Sequence, residues 1–333
     1  MSMHLHLAVI ARTKASGGGS GTNVDEAFFG GGGTSSTSPT TGASNVIDYF
    51  DRTLTTGNAT DSGDLTVARA AACGVHDSTN GFFLGAAHSN ATTATTIDYI
   101  DITTTSGNAT DVGDCVQQAG TGAGVQGSTY GYKCGGAQSS LKSEKNVIEY
   151  ITLATTSQSG TDRGDLSQAI AGCGGVSGST YGFIMGGSID QPDGKDDDYV
   201  SKNFIDYIDV SLTTGNASDK GDLTVARRSH GCVSGASYGF ACGGYAGQHT
   251  SWANDAKNII DYIDITTTSG NATDRGDLTF SGGSAYGTDS NGYTNGIVGR
   301  HSNFDYFDVT TTSGNGLDRG DRSTNLYFPA CAN

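Results

Sequence analysis

Ile259-Ile-Asp-Tyr-Ile-Asp-Ile265, continued by Gly270-Asn-Ala-Thr-Asp-Arg-Gly-Asp-Leu278, is one copy of a phrase that returns six times along the chain. Its first half reads as a strand. Alternation puts residues 259, 261, 263 and 265 on one side and 260, 262 and 264 on the other, with apolar groups on both, as a sheet packed between two neighbours requires. The six tyrosines are Tyr49, Tyr99, Tyr150, Tyr207, Tyr262 and Tyr306, and Glu149 once replaces the aspartate that precedes them. Fifteen residues after each tyrosine stands an aspartate: Asp64, Asp114, Asp165, Asp222, Asp277 and Asp321. That distance never varies, whereas successive tyrosines lie 50, 51, 57, 55 and 44 residues apart. Each unit therefore has one rigid half and one that accepts insertions. A period near fifty in a strand-rich sequence predicts an all-β fold, a six-bladed β-propeller of four-stranded blades.

The unit ending at Asp277 serves as a template. Leu223-Thr-Val-Ala-Arg227 leads into a first strand ending about Val233, and Ser237-Tyr-Gly-Phe-Ala-Cys-Gly-Gly244 is the second, closed by two glycines. A loop, the Tyr262 strand, a turn and an outer strand around Asn271-Ala-Thr-Asp274 complete it. At the amino end, Ala8-Val-Ile-Ala-Arg12 resembles Leu223 to Arg227, and Ala27 to Gly33 resembles the glycine-doublet strand. Residues 1–333 are thus expected to form a single domain, with 322–333 left over as a closing strand or a docking tail.

Fifty-two glycines against three prolines fit many tight turns and little helix. A formal charge of -16 with only 18 basic residues argues against a nucleic-acid partner. No apolar run approaches the roughly 20 residues that span a bilayer, so membrane insertion is not expected. The Leu5–Ile10 segment lacks a preceding basic region and a small-residue cleavage site, and a secretory signal peptide is not expected either. The seven cysteines form no CxxC pair. Cys73, Cys173 and Cys232 share one place in the repeat and Cys134 and Cys242 another, where Met185 and Leu84 stand in other units, so they read as small buried hydrophobes. A Cys232–Cys242 disulfide is compatible with a hairpin but not required.

The glycine doublet, the tyrosine-containing third strand and an arginine 20 residues after the tyrosine (Tyr49/Arg69, Tyr207/Arg227) resemble the kelch repeat, a β-propeller family. Kelch units carry a tryptophan in the outer strand. Here Gly57-Asn-Ala-Thr60 and its copies stand in that region, and the only tryptophan, Trp252, falls in a loop. The phrase Asp-Tyr-Ile followed by Gly-Asn-Ala-Thr-Asp-x-Gly-Asp-Leu also resembles kelch-like repeat proteins encoded by tailed phages, particularly those of cyanobacteria. Such proteins are regarded as virion components near the tail, fibres or capsid surface.

Three Arg-Gly-Asp tripeptides, at 163–165, 275–277 and 319–321, sit where other units have Ser62, Val112 or Lys220 before the same Gly-Asp. The arginine then reads as one choice at a variable surface position, and Arg275→Ser is expected to be nearly silent. The paired aspartates, such as Asp61/Asp64 and Asp274/Asp277, could bind calcium, but their recurrence favours a structural turn. Sialidase boxes are lacking, and the histidines His4, His6, His76, His88, His230, His249 and His301 are scattered and read as polar loop residues rather than metal ligands. No metal or other cofactor is expected, and no catalytic residue is assigned.

The variable half is the better candidate for recognition, because propeller loops between second and third strands gather on one face. Trp252, Tyr245, His249 and Tyr199 are the candidate binding residues, able to stack on a sugar or anchor a protein. The resemblance implies a non-enzymatic virion protein, made in the host cytoplasm, that joins other virion proteins in symmetric copies or meets a host-surface glycan. A glycan-binding adhesin and a kelch-type enzyme such as a copper oxidase are the competing classes.

Overall fold

The computed structural model describes residues 8–11, 26–32, 43–51, 59–86, 94–139, 142–190, 199–247, 256–282, 286–287, 294–300 and 303–321. They form six antiparallel sheets arranged as a six-bladed propeller, in agreement with the repeat. Blade one is β1 (Ala8–Ala11), β2 (Glu26–Gly30), β3 (Val46–Asp51) and β4 (Thr60–Asp64); blade two is β5 (Cys73–His76), β6 (Asn80–Leu84), β7 (Thr96–Asp101) and β8 (Thr110–Asp114). Blade three contains β9 (Ala123–Gln126), β10 (Tyr130–Cys134), the short β11 (Ala137–Ser139), β12 (Lys142–Thr152) and β13 (Thr161–Ile170). In blade four β14 (Gly174–Ser177), β15 (Tyr181–Met185), β18 (Phe204–Asp209) and β19 (Ser218–Asp222) make the sheet, and β16 (Ser188–Asp190) pairs with β17 (Tyr199–Ser201) in a separate hairpin. β20 (Arg227–Arg228) precedes blade five, which is β21 (Gly231–Ser234), β22 (Tyr238–Cys242), β24 (Ile259–Asp264) and β25 (Thr273–Asp277); β23 (Tyr245–Ala246) pairs back on β20. Blade six is β26 (Tyr286–Gly287), β27 (Asn295–Arg300), β28 (Asn303–Asp308) and β29 (Leu317–Asp321).

Apolar side chains fill the gaps between blades. Phe28 and Ile47 meet Phe83 and Ile100 between blades one and two, and Val125 and Ile148 meet Ile184 and Ile208 between three and four. Ile297 and Phe304 of blade six belong to the same buried cluster as Ala27 and Phe29 of blade one, so the ring closes. β1 is the innermost strand of blade one, paired Ala8↔Gly30 to Ala11↔Ala27. It matches Gly231–Ser234, not Leu223–Arg227, which corrects the register expected for the amino end. The tail 322–333 lies outside the described residues.

The invariant phrase proves to be the seam between blades. Asp-x-Gly-Asp is the outer strand itself, rather than a turn after an outer strand at Asn271–Asp274. The outer strand of one blade pairs with the Gly-Asn-Ala turn of the next: Gly215 N–H donates to the Arg163 carbonyl (2.9 Å), Ala217 N–H to Asp165 (2.8 Å), and Asp165 N–H to Asn216 Oδ1 (3.0 Å). The same bonds recur from blade one to two, four to five and five to six. Gly164, at φ 146°, has no room for a Cβ because the Gly215 carbonyl lies 2.7 Å from where it would be. The first aspartate accepts the N–H of that glycine's counterpart within its own strand, as Asp274 does from Gly276 at 2.9 Å. The glycines, the asparagine and the first aspartate of the phrase thus have structural tasks, and the constant spacing follows from them.

The arginines of the Arg-Gly-Asp tripeptides are not surface variables. Arg275 is 6% exposed and donates to the carbonyls of Asp308 (2.8 Å), Thr311 (3.2 Å) and Gly314 in the next blade, with its guanidinium 4.7 Å from the Phe307 ring. Arg163 binds the equivalent carbonyls of Asp209, Leu212 and Gly215 and lies over Tyr132; Lys220 reaches Thr267 and Ser269 and lies over Phe183. Arg319 reaches the Asp51 carbonyl across the ring closure. The expectation of a silent Arg275→Ser fails because the variable letter carries a clamp on the neighbouring blade.

Candidate functional site

Among the described residues, the insertions between second and third strands of blades three to five meet on one face. In blade four the insertion is the β16–β17 hairpin; in blade five it begins with β23. Arg228, fully buried, joins them: its Nη1 donates to Ser201 Oγ (2.8 Å) and to the Gly247 carbonyl (3.2 Å), and its guanidinium lies 5.9 Å from the Tyr245 ring. Ser201 Oγ also donates to the Tyr245 carbonyl at 3.2 Å. A loop of blade four is therefore anchored to a loop of blade five through a buried polar knot.

Of the four residues expected to bind, Tyr199 and Tyr245 are both 7% exposed and face inward. Tyr199 packs with Ala137 of blade three and Ala171, and Tyr245 stacks on Arg228. Aromatic rings at the base of such insertions bury themselves against neighbouring blades because that removes apolar area from water. Both serve to fix the loops rather than to present a stacking surface. Trp252 and His249 lie outside the described residues. Arg228 and Ser201 were missed in the sequence; the signal was the Arg227-Arg228 pair, the only adjacent arginines in the chain.

Two of the histidines are also buried, contrary to the reading of the set as polar loop residues: His76 is 4% exposed and His230 fully buried. His76 ends an innermost strand and takes part in a chain of hydrogen bonds across the innermost strands of blades two to five. His76 N–H donates to Gln126 Oε1 (2.6 Å), Gln126 N–H to Ser177 Oγ (2.9 Å), and Ser177 N–H to Ser234 Oγ (2.9 Å). A backbone belt marks the other end of these strands, with Thr121 N–H bound to Ala71 (3.0 Å), Gly172 to Thr121 (2.8 Å) and Ser229 to Gly172 (2.8 Å). Ala71, Thr121 and Ser229 hold left-handed φ of 64°, 60° and 52°, a strain that the repeated belt sustains.

Buried ion pairs tie the third strands to the chain entering their blade. Arg69 meets Asp98 at 3.0 Å and Arg227 meets Asp261 at 2.8 Å, all fully buried. The arginines of these pairs are the ones that stand 20 residues after Tyr49 and Tyr207. In blade three Glu149 replaces the aspartate, and the cation comes instead from Lys133 of β10, 2.6 Å away. Asp206 and Asp305 are the same buried aspartates in blades four and six, with Ile170 and Gly282 in the arginine's place. Burial pushes both carboxyls above the ordinary carboxylate range, against the hydrogen bonds from Ser167 and Thr279.

Cys232 and Cys242 lie on opposite faces of blade five and do not bridge each other, since Cys232 registers with Ala241 and Cys242 with Gly231. The six described cysteines are all buried, and burial raises the Cys73 and Cys173 thiols to about 12, which makes them inert packing groups. Among the described residues no three His, Cys, Asp or Glu side chains are grouped to hold a metal ion.

Comparison with protein-family models and with curated proteins finds no match to this chain.

Proposed function

We propose that this propeller is a divergent kelch-like repeat protein acting as a non-enzymatic structural component of a tailed-phage virion. It joins other virion proteins in symmetric copies, or meets the host surface, through the loop face, and it needs no cofactor. The observation that carries the reading is the division of labour within each unit. The repeated phrase is taken up in joining blade to blade, whereas the variable insertions collect on one face and are knitted across blades three to five. A rigid ring that presents variable loops suits a docking role. The phage assignment rests on the likeness of the Gly-Asn-Ala-Thr-Asp-x-Gly-Asp phrase to phage-encoded repeats. A glycan-binding role draws less support, because Tyr199 and Tyr245 are buried.

The test is gradient fractionation of a lysate containing the protein, followed by mass spectrometry of intact particles. Co-migration with virions at a fixed copy number is the expected outcome. A wholly soluble pool would overturn the virion role.

A further inference from the structure

Among the described residues, the junctions between blades present carbonyl oxygens from the turn after the third strand, and in most of them a side chain from the seam bonds to these. Arg163, Lys220, Arg275 and Arg319 do so from the preceding blade. At the junction between blades two and three, where Val112 of blade two precedes the Gly-Asp, Gln158 of blade three's turn places its own amide on the Thr152 and Thr155 carbonyls at 2.6 and 2.5 Å. The junction between blades one and two differs. Ser62 occupies the cation's place and is too short to reach the turn, and Gly107 occupies the place of Gln158.

A cavity of about 140 Å³ stands there, lined by Phe28, Ser62, Tyr99, Asp101, Thr104 and Gly107 among others. These are the counterparts of the groups that hold Arg163. Asp101, Thr104 and Gly107 match Asp209, Leu212 and Gly215, whose carbonyls take its three nitrogens, and Phe28 matches Tyr132, over which its guanidinium lies. A single water needs about 10–15 Å³ of such space, so the cavity has room for a planar cation. Among the described residues no basic side chain lines it. Carbonyl oxygens in this arrangement accept hydrogen bonds only, and an aromatic face adds attraction for a cation.

We propose that this junction is a binding site for an alkylguanidinium group, a vacant arginine seat that an exogenous ligand fills as Arg163 and Arg275 fill theirs from within. The ligand is a small guanidinium compound or an arginine side chain presented by another chain. The net charge of -16 raises the local concentration of either. The site lies at the outer seam of the ring and does not depend on the virion role of the loop face.

The test is calorimetric titration of the whole protein with ethylguanidinium and with N-acetyl-arginine amide. Saturable binding of at least one is expected, weakened at least tenfold in Ser62→Arg and in Ser62→Lys, whose own cations occupy the seat. Tighter binding of the arginine amide identifies a partner chain as the source, and tighter binding of ethylguanidinium a free compound. No saturation of either by about 50 mM, or binding undiminished in both folded variants, overturns the proposal.

Discussion

Arg275 donates four hydrogen bonds into blade six while 6% exposed, so its removal takes the guanidinium donor from the Thr311 and Gly314 carbonyls, while Asp308 keeps the Thr311 hydroxyl. Arg275→Ser is predicted to cost about 2 kcal/mol, because hydrogen bonds to a charged group are stronger than neutral ones. Equilibrium urea unfolding checks it, and a loss under about 0.5 kcal/mol would contradict the clamp. Gly243 holds φ +66°, and a Cβ there would come 2.9 Å from the Gly282 carbonyl. Gly243→Val should therefore lower stability by about 2 kcal/mol or more, since a β-branched residue adopts that φ poorly; an unchanged melting temperature would refute this. Asp206 gives a pH dependence. Its folded pKa is raised by burial, so the unfolded chain releases this proton first and stability is lost as pH rises. The contribution is fully present below the unfolded value of about 3.9 and is lost as pH climbs through the raised folded value. Asp206→Asn should remove that slope, seen as a wild-type-minus-variant stability difference that falls from pH 4 toward neutrality. A flat difference would show that the carboxyl is not perturbed.

Among strands, blade three shows how one element change forces another. Blades two and five pair a short aspartate with a long arginine from the entering chain, whereas β12 carries Glu149 and β10 carries Lys133 directly opposite. Glu149 also accepts the Val116 N–H at 2.5 Å, so its two oxygens serve two partners. Glu149→Asp withdraws the carboxylate by one methylene and strands a buried ammonium, at a predicted cost of about 3 kcal/mol. Adding Ala119→Arg and Lys133→Phe, which reproduces the arrangement of blade two, should recover most of the loss in denaturant titrations. Failure of the triple variant to improve on the single one would show that the two arrangements are not interchangeable.

Across the whole ring, stability is predicted to be uneven, because the seam between blades one and two lacks the side-chain clamp found elsewhere. The backbone bonds there are intact, with Gly107 N–H on Ser62 at 2.9 Å and Ala109 N–H on Asp64 at 2.8 Å. Their amide hydrogens should nevertheless exchange faster than those of Gly215 and Ala217, which sit beside Arg163. Equal protection would mean that the clamps add little to the closed ring. Much of this architecture was legible in the chain. The constant tyrosine-to-aspartate spacing determined the unit, its count and the six-bladed fold, because a strand pair and its turn have fixed lengths and tolerate no insertion. The glycine doublets likewise announced positions such as Gly243, where only glycine suits the backbone. The exposure of Arg275, Tyr199 and Tyr245 was not legible, since a side chain's surroundings in a propeller come from the next blade, some fifty residues away. The same holds for the register of Ala8–Ala11, where a four-residue apolar run fits two places in the repeat. By itself, then, the sequence determined how the blades are built. Only the tertiary structure decided which residues lie between them, because burial there depends on two repeats meeting and neither repeat carries the other's contacts.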